Sequence, residues 1–146
     1  MKPGRWLVTG ASRGLGREIA LGLARHGHQV LGLARDPEGL AGLRADAEGA
    51  LRTLVLDLAD RHSVSSGMSL AMAEYGGFDG VINNAGIGSY RAFLDLAEIE
   101  LLEVLQVNLG AVMQICHAVL PSMVAQGQGH IVNIGSDLGR RPLAKM

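Results

Sequence analysis

The feature that most constrains the fold is a regular alternation of short apolar runs with stretches of helical period. The first run, Trp6-Leu7-Val8, ends in Thr9-Gly10, and the apolar positions after it have helical spacing. This pattern predicts a strand, a tight turn and a helix in succession. Four further apolar runs predict strands at 29–34, 51–56, 79–83 and 130–134. Short apolar strands that alternate with helices are typical of a parallel sheet covered on both faces, so the sequence predicts an α/β fold with a doubly wound parallel sheet.

The longest predicted helix runs from about Glu98 to Gln126 and is apolar on almost every face. Such a helix must be covered on both sides, by the sheet and by something else. Pro121 is expected to kink or end it, because proline donates no backbone hydrogen bond and its ring clashes with the preceding turn. We therefore expect a homo-oligomer that associates through helix 98–126.

Composition excludes several classes of partner. The chain has 146 residues, the length of one domain, and its 13 basic and 14 acidic side chains are interspersed to a net charge of −1. Neither nucleic acid nor a membrane surface is therefore an expected partner.

Cys116 is the only cysteine, which suits a reducing compartment. Residues 1–4 lack the pattern of a secretory signal, and no run of about 18 residues is uninterruptedly apolar, so a cytoplasmic protein is expected.

A glycine-rich turn joins the first predicted strand to the first predicted helix. Gly10 would allow a sharp turn, Gly14 a close approach of the backbone to a pyrophosphate, and Gly16 close packing of the helix on the strand. The helix N-terminus would favour the anion. The alternative is that these glycines only punctuate a turn, but their place between the first strand and the first helix favours a dinucleotide site.

The spacing Thr9-Gly10-x-x-x-Gly14-x-Gly16 resembles the cofactor signature of the short-chain dehydrogenase/reductase family, and further matches follow in family order. These are Asp57-Leu58, Asn83-Asn84-Ala85-Gly86, Asn108, and Ser136 after the fifth strand. The resemblance covers the whole chain and implies a Rossmann-type domain over residues 1–146. It also implies an oxidoreductase that transfers a hydride between a nicotinamide cofactor and a small carbonyl or alcohol substrate.

The resemblance assigns roles to particular residues. Ser136 would polarise the substrate oxygen, Asn108 would hold a water of the proton relay, and Asp57 would bind the adenine amino group. The predicted cofactor-binding residues are Gly10, Ser12, Arg13, Gly14, Leu15, Gly16, Arg35, Asp57, Leu58, Asn84, Ala85 and Gly86. No metal ligands are predicted; His26 and His28 lie near each other without an accompanying Cys, Asp or Glu cluster.

The family's catalytic Tyr and Lys form a Y-x-x-x-K motif downstream of the Ser, and neither tyrosine of this chain can supply it. Tyr75 is followed four positions later by Asp79, and Tyr90 by Leu94. We therefore expect a fold truncated before its last strands, and a 146-residue chain that is inactive on its own. Two alternatives remain open: a catalytically silent nucleotide-binding or interaction protein that ends naturally at Met146, and an epimerase-like nucleotide binder, against which the N-N-A-G match counts.

The end of the second strand predicts NADP(H) in preference to NAD(H). The resemblance to the family puts the acidic residue that would bind a ribose 2′-hydroxyl at the position of Ala34, while Arg35 and Arg13 can pair with a 2′-phosphate. Asp36 lies in range but is better explained as the N-cap of a helix that begins at Pro37.

Overall fold

The computed structural model describes residues 3–141. Its centre is one five-stranded sheet in the order β3-β2-β1-β4-β5, and every neighbouring pair is parallel. The strands are β1 (Arg5–Thr9), β2 (Gln29–Ala34), β3 (Leu51–Val55), β4 (Gly80–Asn83) and β5 (His130–Asn133). The predicted parallel sheet is confirmed, and each predicted strand lies within one residue of its observed bounds.

Helices connect consecutive strands. They are α1 (Gly14–Arg25), α2 (Pro37–Asp46), α3 (Arg61–Tyr75), α4 (Glu98–Leu105) and α5 (Ala111–Gln126), with a π-helical turn at Gln106–Gly110 and short 3₁₀ turns at Phe93–Asp95 and Asp137–Gly139. Asp36 caps α2 as predicted, because its Oδ1 accepts a hydrogen bond from the amide of Glu38 at 3.1 Å.

The sheet has an apolar core on each face, as a doubly wound sheet requires. Leu7 and Val8 are adjacent in β1 and completely buried, yet they belong to different core clusters because successive side chains of a strand point to opposite faces. Leu7 packs with α3 and α5, which contribute Met68 and Ile115. Val8 packs with α1 and α2 on the other face.

The segment predicted as one helix over 98–126 departs from regular α-helix in its middle. The π-helical turn separates α4 from α5, whereas Pro121 lies inside α5 and the helix continues to Gln126. Pro121 therefore does not end the helix. Within residues 3–141 the fold covers one side of this segment, so cover of the other side by a second copy stays a prediction. Val107, Ile115 and Val119 face the core, but the opposite face is exposed.

The same segment, Glu98–Gln126, is long and apolar enough to cross a membrane if length and composition alone are considered. Its most apolar window has a mean hydropathy of 1.4, and 28% of that window is buried inside the fold. One such helix is weak support for a membrane span, since the core helix of a folded domain can have the same composition.

Candidate functional site

The topology creates a crevice at the carboxyl ends of β1 and β4. The chain leaves β1 toward β2 and β3 on one side and then returns to place β4 on the other side, so the direction of winding reverses at β1. Ligands of open parallel sheets bind at such a switch point. A cleft of about 300 Å³ lies there, lined by Gly10, Ser12, Arg13, Gly14, Ala34, Arg35, Leu56, Asp57, Leu58, Asn84, Ala85, Gly86, Ile87 and Val107.

The glycine-rich turn forms the floor of this cleft, and its backbone requires glycine. Gly10 has φ of +67° and Gly14 has φ of +56°, in the left-handed region that side chains with a Cβ rarely adopt. Gly16 is needed for a different reason. A Cβ at Gly16 would lie 2.4 Å from the carbonyl oxygen of Gly10 and 2.4 Å from Nδ2 of Asn84. Close packing of α1, the turn and the segment after β4 therefore depends on Gly16.

Thr9 ties the glycine-rich turn to the segment after β4. Its Oγ1 accepts hydrogen bonds from the amides of Asn84 and Ala85, both at 3.0 Å, and its carbonyl oxygen accepts a third from Nδ2 of Asn84 at 3.1 Å. Thr9 is 2% exposed, so these bonds are shielded from water. Thr9 was matched as the first residue of the glycine-rich motif, but it was not among the predicted cofactor-binding residues.

Asn83 links the two strands beside the cleft. Its Nδ2 donates to Oδ1 of Asn133 at 2.8 Å across the β4–β5 pair, and it lies 3.7 Å from the sulfur of Cys116. Asn83 is 3% exposed, and its own Oδ1 has no hydrogen-bond donor among the described residues. This amide pair joins two residues that are register partners in the β4–β5 pair.

Asn108 lies in the π-helical turn and fastens the segment after the N-N-A-G motif. Its Oδ1 accepts from the amide of Ile87 at 2.9 Å, and its Nδ2 donates to the carbonyl oxygen of Ile87 at 2.8 Å. A single side chain therefore satisfies both backbone groups of Ile87. π-helical turns occur frequently at functional sites, where they turn a side chain out of regular helical register.

Ser136 follows β5 at the same edge of the sheet. It is exposed, and its Oγ accepts a hydrogen bond from the amide of Leu138 at 3.2 Å, which caps the short turn Asp137–Gly139. The carboxyl ends of parallel strands meet at one edge, so β5 presents Ser136 at the edge that also carries Gly10 and Asn84.

Two exposed arginines bring positive charge to the cleft. Arg13 precedes α1, and Arg35 follows β2, where its Nη1 lies 3.8 Å from Oε1 of Glu103 on α4. The two carboxylates that follow β2 and β3 accept backbone hydrogen bonds. Asp36 caps α2, and Oδ1 of Asp57 accepts from the amide of Ala59 at 3.0 Å.

Most of the cofactor-binding residues predicted from sequence line this one cleft. Ten of the twelve do so; the exceptions are Leu15, which is 57% exposed, and Gly16, whose place is in the packing behind the turn. Four further lining residues were not among the predicted cofactor-binding residues, although Ala34 was identified at the position of the missing acidic residue: Ala34, Leu56, Ile87 and Val107. Three of these four follow strands or flank motif residues, whereas Val107 comes from the distant π-helical turn and has no local signal.

Within residues 3–141 there is no group of three or more His, Cys, Asp or Glu side chains that could hold a metal ion.

The parallel doubly wound sheet, with a glycine-rich turn at its switch point, defines the class of Rossmann-type α/β proteins. Comparison with known proteins narrows this class. Residues 5–146 match the family described as short chain dehydrogenase, and the chain belongs to this family.

Individual relatives agree with this assignment. The chain is 38% identical over 143 residues to the probable oxidoreductase EphD of Mycobacterium tuberculosis, covering 95% of this chain and 24% of that protein. It is similar to the crystal structure of a short-chain dehydrogenase from Streptomyces avermitilis, with a TM-score of 0.91, 34% identity, and coverage of 98% of this chain and 53% of that chain. It is also similar to a metagenomic short-chain oxidoreductase solved in complex with NADP, with a TM-score of 0.91, 32% identity, and coverage of 97% and 66%. The chain thus spans about a quarter of EphD and between half and two thirds of the two solved chains.

Proposed function

We propose that this chain is the cofactor-binding part of an NADP(H)-dependent oxidoreductase that acts on a carbonyl or alcohol substrate. The observation that carries the proposal is the cleft at the switch point, where Gly10, Gly14 and the backbone of Asn84–Gly86 come together beside two arginines. Within this proposal, residues 1–146 form an incomplete dinucleotide-binding domain.

The residues of the cleft fit a dinucleotide. The turn around Gly10 and Gly14 leaves backbone where side chains would otherwise fill the space, and the start of α1 favours a pyrophosphate. Asp57 and Leu58 at the end of β3 would hold the adenine, and Ala85 and Gly86 would lie along the nicotinamide half. When bound, the nicotinamide supplies or accepts the hydride.

A preference for NADP(H) over NAD(H) is supported by the end of β2. Ala34 lines the cleft where a carboxylate would otherwise meet the ribose 2′-hydroxyl, and Arg35 and Arg13 can pair with a 2′-phosphate. The Asp36 carboxylate already accepts the Glu38 amide as a helix cap. The solved relative in complex with NADP is in keeping with this preference. Tighter binding of NADH than of NADPH by the full-length protein would refute it.

Catalysis would depend on Ser136 at the substrate oxygen and on Asn108 in the proton relay. In the full-length protein, Ser136→Ala should lower turnover of ketones or aldehydes with NADPH by about 10²-fold or more, the effect typical of losing a donor to a developing oxyanion. Ser69→Ala, on the exposed side of α3, is the matched control because Ser69 only returns a hydrogen bond to the carbonyl of Ser65. Equal turnover by the two variants would remove Ser136 from the mechanism.

The 146-residue chain by itself should be inactive, because it contains no Y-x-x-x-K motif. Without a general acid the proton of carbonyl reduction has no donor, and such catalysis typically contributes about 10²- to 10⁴-fold. NADPH oxidation by this chain should be compared with that of a form extended through a downstream Tyr and Lys. Comparable rates would show that the catalytic acid lies elsewhere.

We further propose that the protein is a cytoplasmic homo-oligomer that associates through helix 98–126. Support comes from a stripe of exposed apolar side chains at helical spacing: Ile99, Leu102, Leu105, Leu109, Met113, Leu120 and Val124. Leu102→Ser should shift the full-length protein toward smaller species in sedimentation. Leu70→Ser on α3 is the matched control, since Leu70 is 56% exposed and Leu102 is 53% exposed. A wild-type protein that sediments as a monomer at micromolar concentration would refute the proposal.

A further inference from the structure

The ion pair between Arg35 and Glu103 lies at one side of the cleft, because Arg35 is one of the lining residues. Arg35 follows β2 and lines the cleft, whereas Glu103 belongs to α4 and lies four residues before Val107, which lines the cleft from the helix side. Val107 lies in the π-helical turn, so the position of Glu103 at the rim depends on its contact with Arg35. The contact of 3.8 Å therefore joins the strand side of the cleft to its helix side.

This pair is easily opened. The Arg35 side chain is 65% exposed and the Glu103 side chain is 41% exposed, so water solvates both charges when they separate. An exposed ion pair of this kind contributes little to stability and is weakened further by salt. Glu103 nevertheless keeps a negative charge beside the guanidinium of Arg35.

We propose that Glu103 is a specificity-determining residue that competes with the cofactor's 2′-phosphate for the Arg35 guanidinium. This inference rests on the proposed binding of NADP(H) in the cleft. A phosphate bound by Arg35 replaces the Glu103 carboxylate as its partner and also stands near that carboxylate's charge. Glu103 therefore weakens binding of the phosphorylated cofactor and has little effect on NAD(H), which carries a hydroxyl in place of the phosphate. The carboxylate sets the ratio of the two affinities without touching the substrate.

The test is a set of equilibrium titrations of the full-length protein with NADPH and NADH, repeated with 2′,5′-ADP and 5′-AMP as fragments that carry no nicotinamide. Glu103→Gln should tighten binding of NADPH and of 2′,5′-ADP about two- to fivefold, the range expected for release of an exposed ion pair. Binding of NADH and of 5′-AMP should stay unchanged. The gain should shrink as ionic strength rises, because salt screens the carboxylate.

Two controls separate competition at Arg35 from a general charge effect. Glu98→Gln removes the same charge from the exposed first turn of α4 and should change neither affinity. In an Arg35→Gln background, Glu103→Gln should no longer improve NADPH binding, since the two substitutions act on one contact. Equal tightening of NADPH and NADH, or the same gain with Arg35 removed, overturns the inference. NADPH binding that is tight but insensitive to Glu103 overturns this inference alone, whereas failure to bind either cofactor overturns the proposed function as well.

Discussion

Substitution of Gly16 by alanine is the sharpest test of how the glycine-rich turn is built. The new Cβ would lie 2.4 Å from the carbonyl oxygen of Gly10 and 2.4 Å from Nδ2 of Asn84. The asparagine side chain can rotate away, but the carbonyl belongs to the backbone of the turn and can move only if the turn moves. Gly22 is the matched control, because it lies in the same helix and a Cβ there would meet nothing within 4 Å.

The change in the free energy of unfolding of each variant follows from two opposing effects. Alanine is favoured over glycine inside a helix by about 1 kcal/mol, and both variants gain this. Overpacking typically costs about 1–3 kcal/mol, and the backbone contact at Gly16 places its cost in the upper part of that range. Gly22→Ala should therefore be up to about 1 kcal/mol more stable than the wild type, and Gly16→Ala about 1–2 kcal/mol less stable. The difference between the variants, about 2–3 kcal/mol, is the steric cost itself.

Urea unfolding of the full-length protein measures this difference. With a typical dependence on denaturant, the two midpoints should be about 1 M apart. NADPH titration is the second readout, because a turn displaced by the Cβ no longer presents the same backbone to a pyrophosphate. Equal midpoints together with unchanged NADPH affinity would refute the argument that Gly16 is required for close packing.

Two further substitutions test buried polar groups. Thr9→Val should lower the free energy of unfolding by about 2–4 kcal/mol, because the amides of Asn84 and Ala85 lose their common acceptor. Thr9→Ser keeps the hydroxyl and should lose far less stability. Equal losses of the two variants in calorimetry would contradict this. Tyr75→Phe should be stabilising by up to about 1 kcal/mol, because the buried hydroxyl has no partner among residues 3–141. Burial raises the pKa of Tyr75 above its ordinary value of 10.0, and Arg52 lowers it by a smaller amount. The folded state therefore resists ionisation, so wild-type stability should fall as pH rises above about 10, and Tyr75→Phe should lack this fall; identical alkaline unfolding curves would argue against it.

Much of the frame was predictable because it depends on local signals. The apolar runs predicted each strand to within one residue, since a strand buried on both faces needs a short continuous apolar segment. Asp36-Pro37 predicted the start of α2 because a cap needs only its own neighbours in sequence. The glycine spacing and the N-N-A-G motif likewise predicted residues that come to line one cleft, because the ends of parallel strands meet at one edge.

Other features were decided only by the tertiary structure. No local pattern shows that Thr9 holds two amides more than seventy residues away, that Val107 reaches the cleft from the π-helical turn, or that Arg35 meets Glu103. The long apolar segment was predicted as one helix, and only the structure shows the π-helical turn at Gln106–Gly110 within it and which of its faces packs on the sheet. Hydrophobic periodicity indicates which secondary structure a segment favours. These contacts depend instead on which surfaces come within a few ångströms of each other when the helices pack on the sheet.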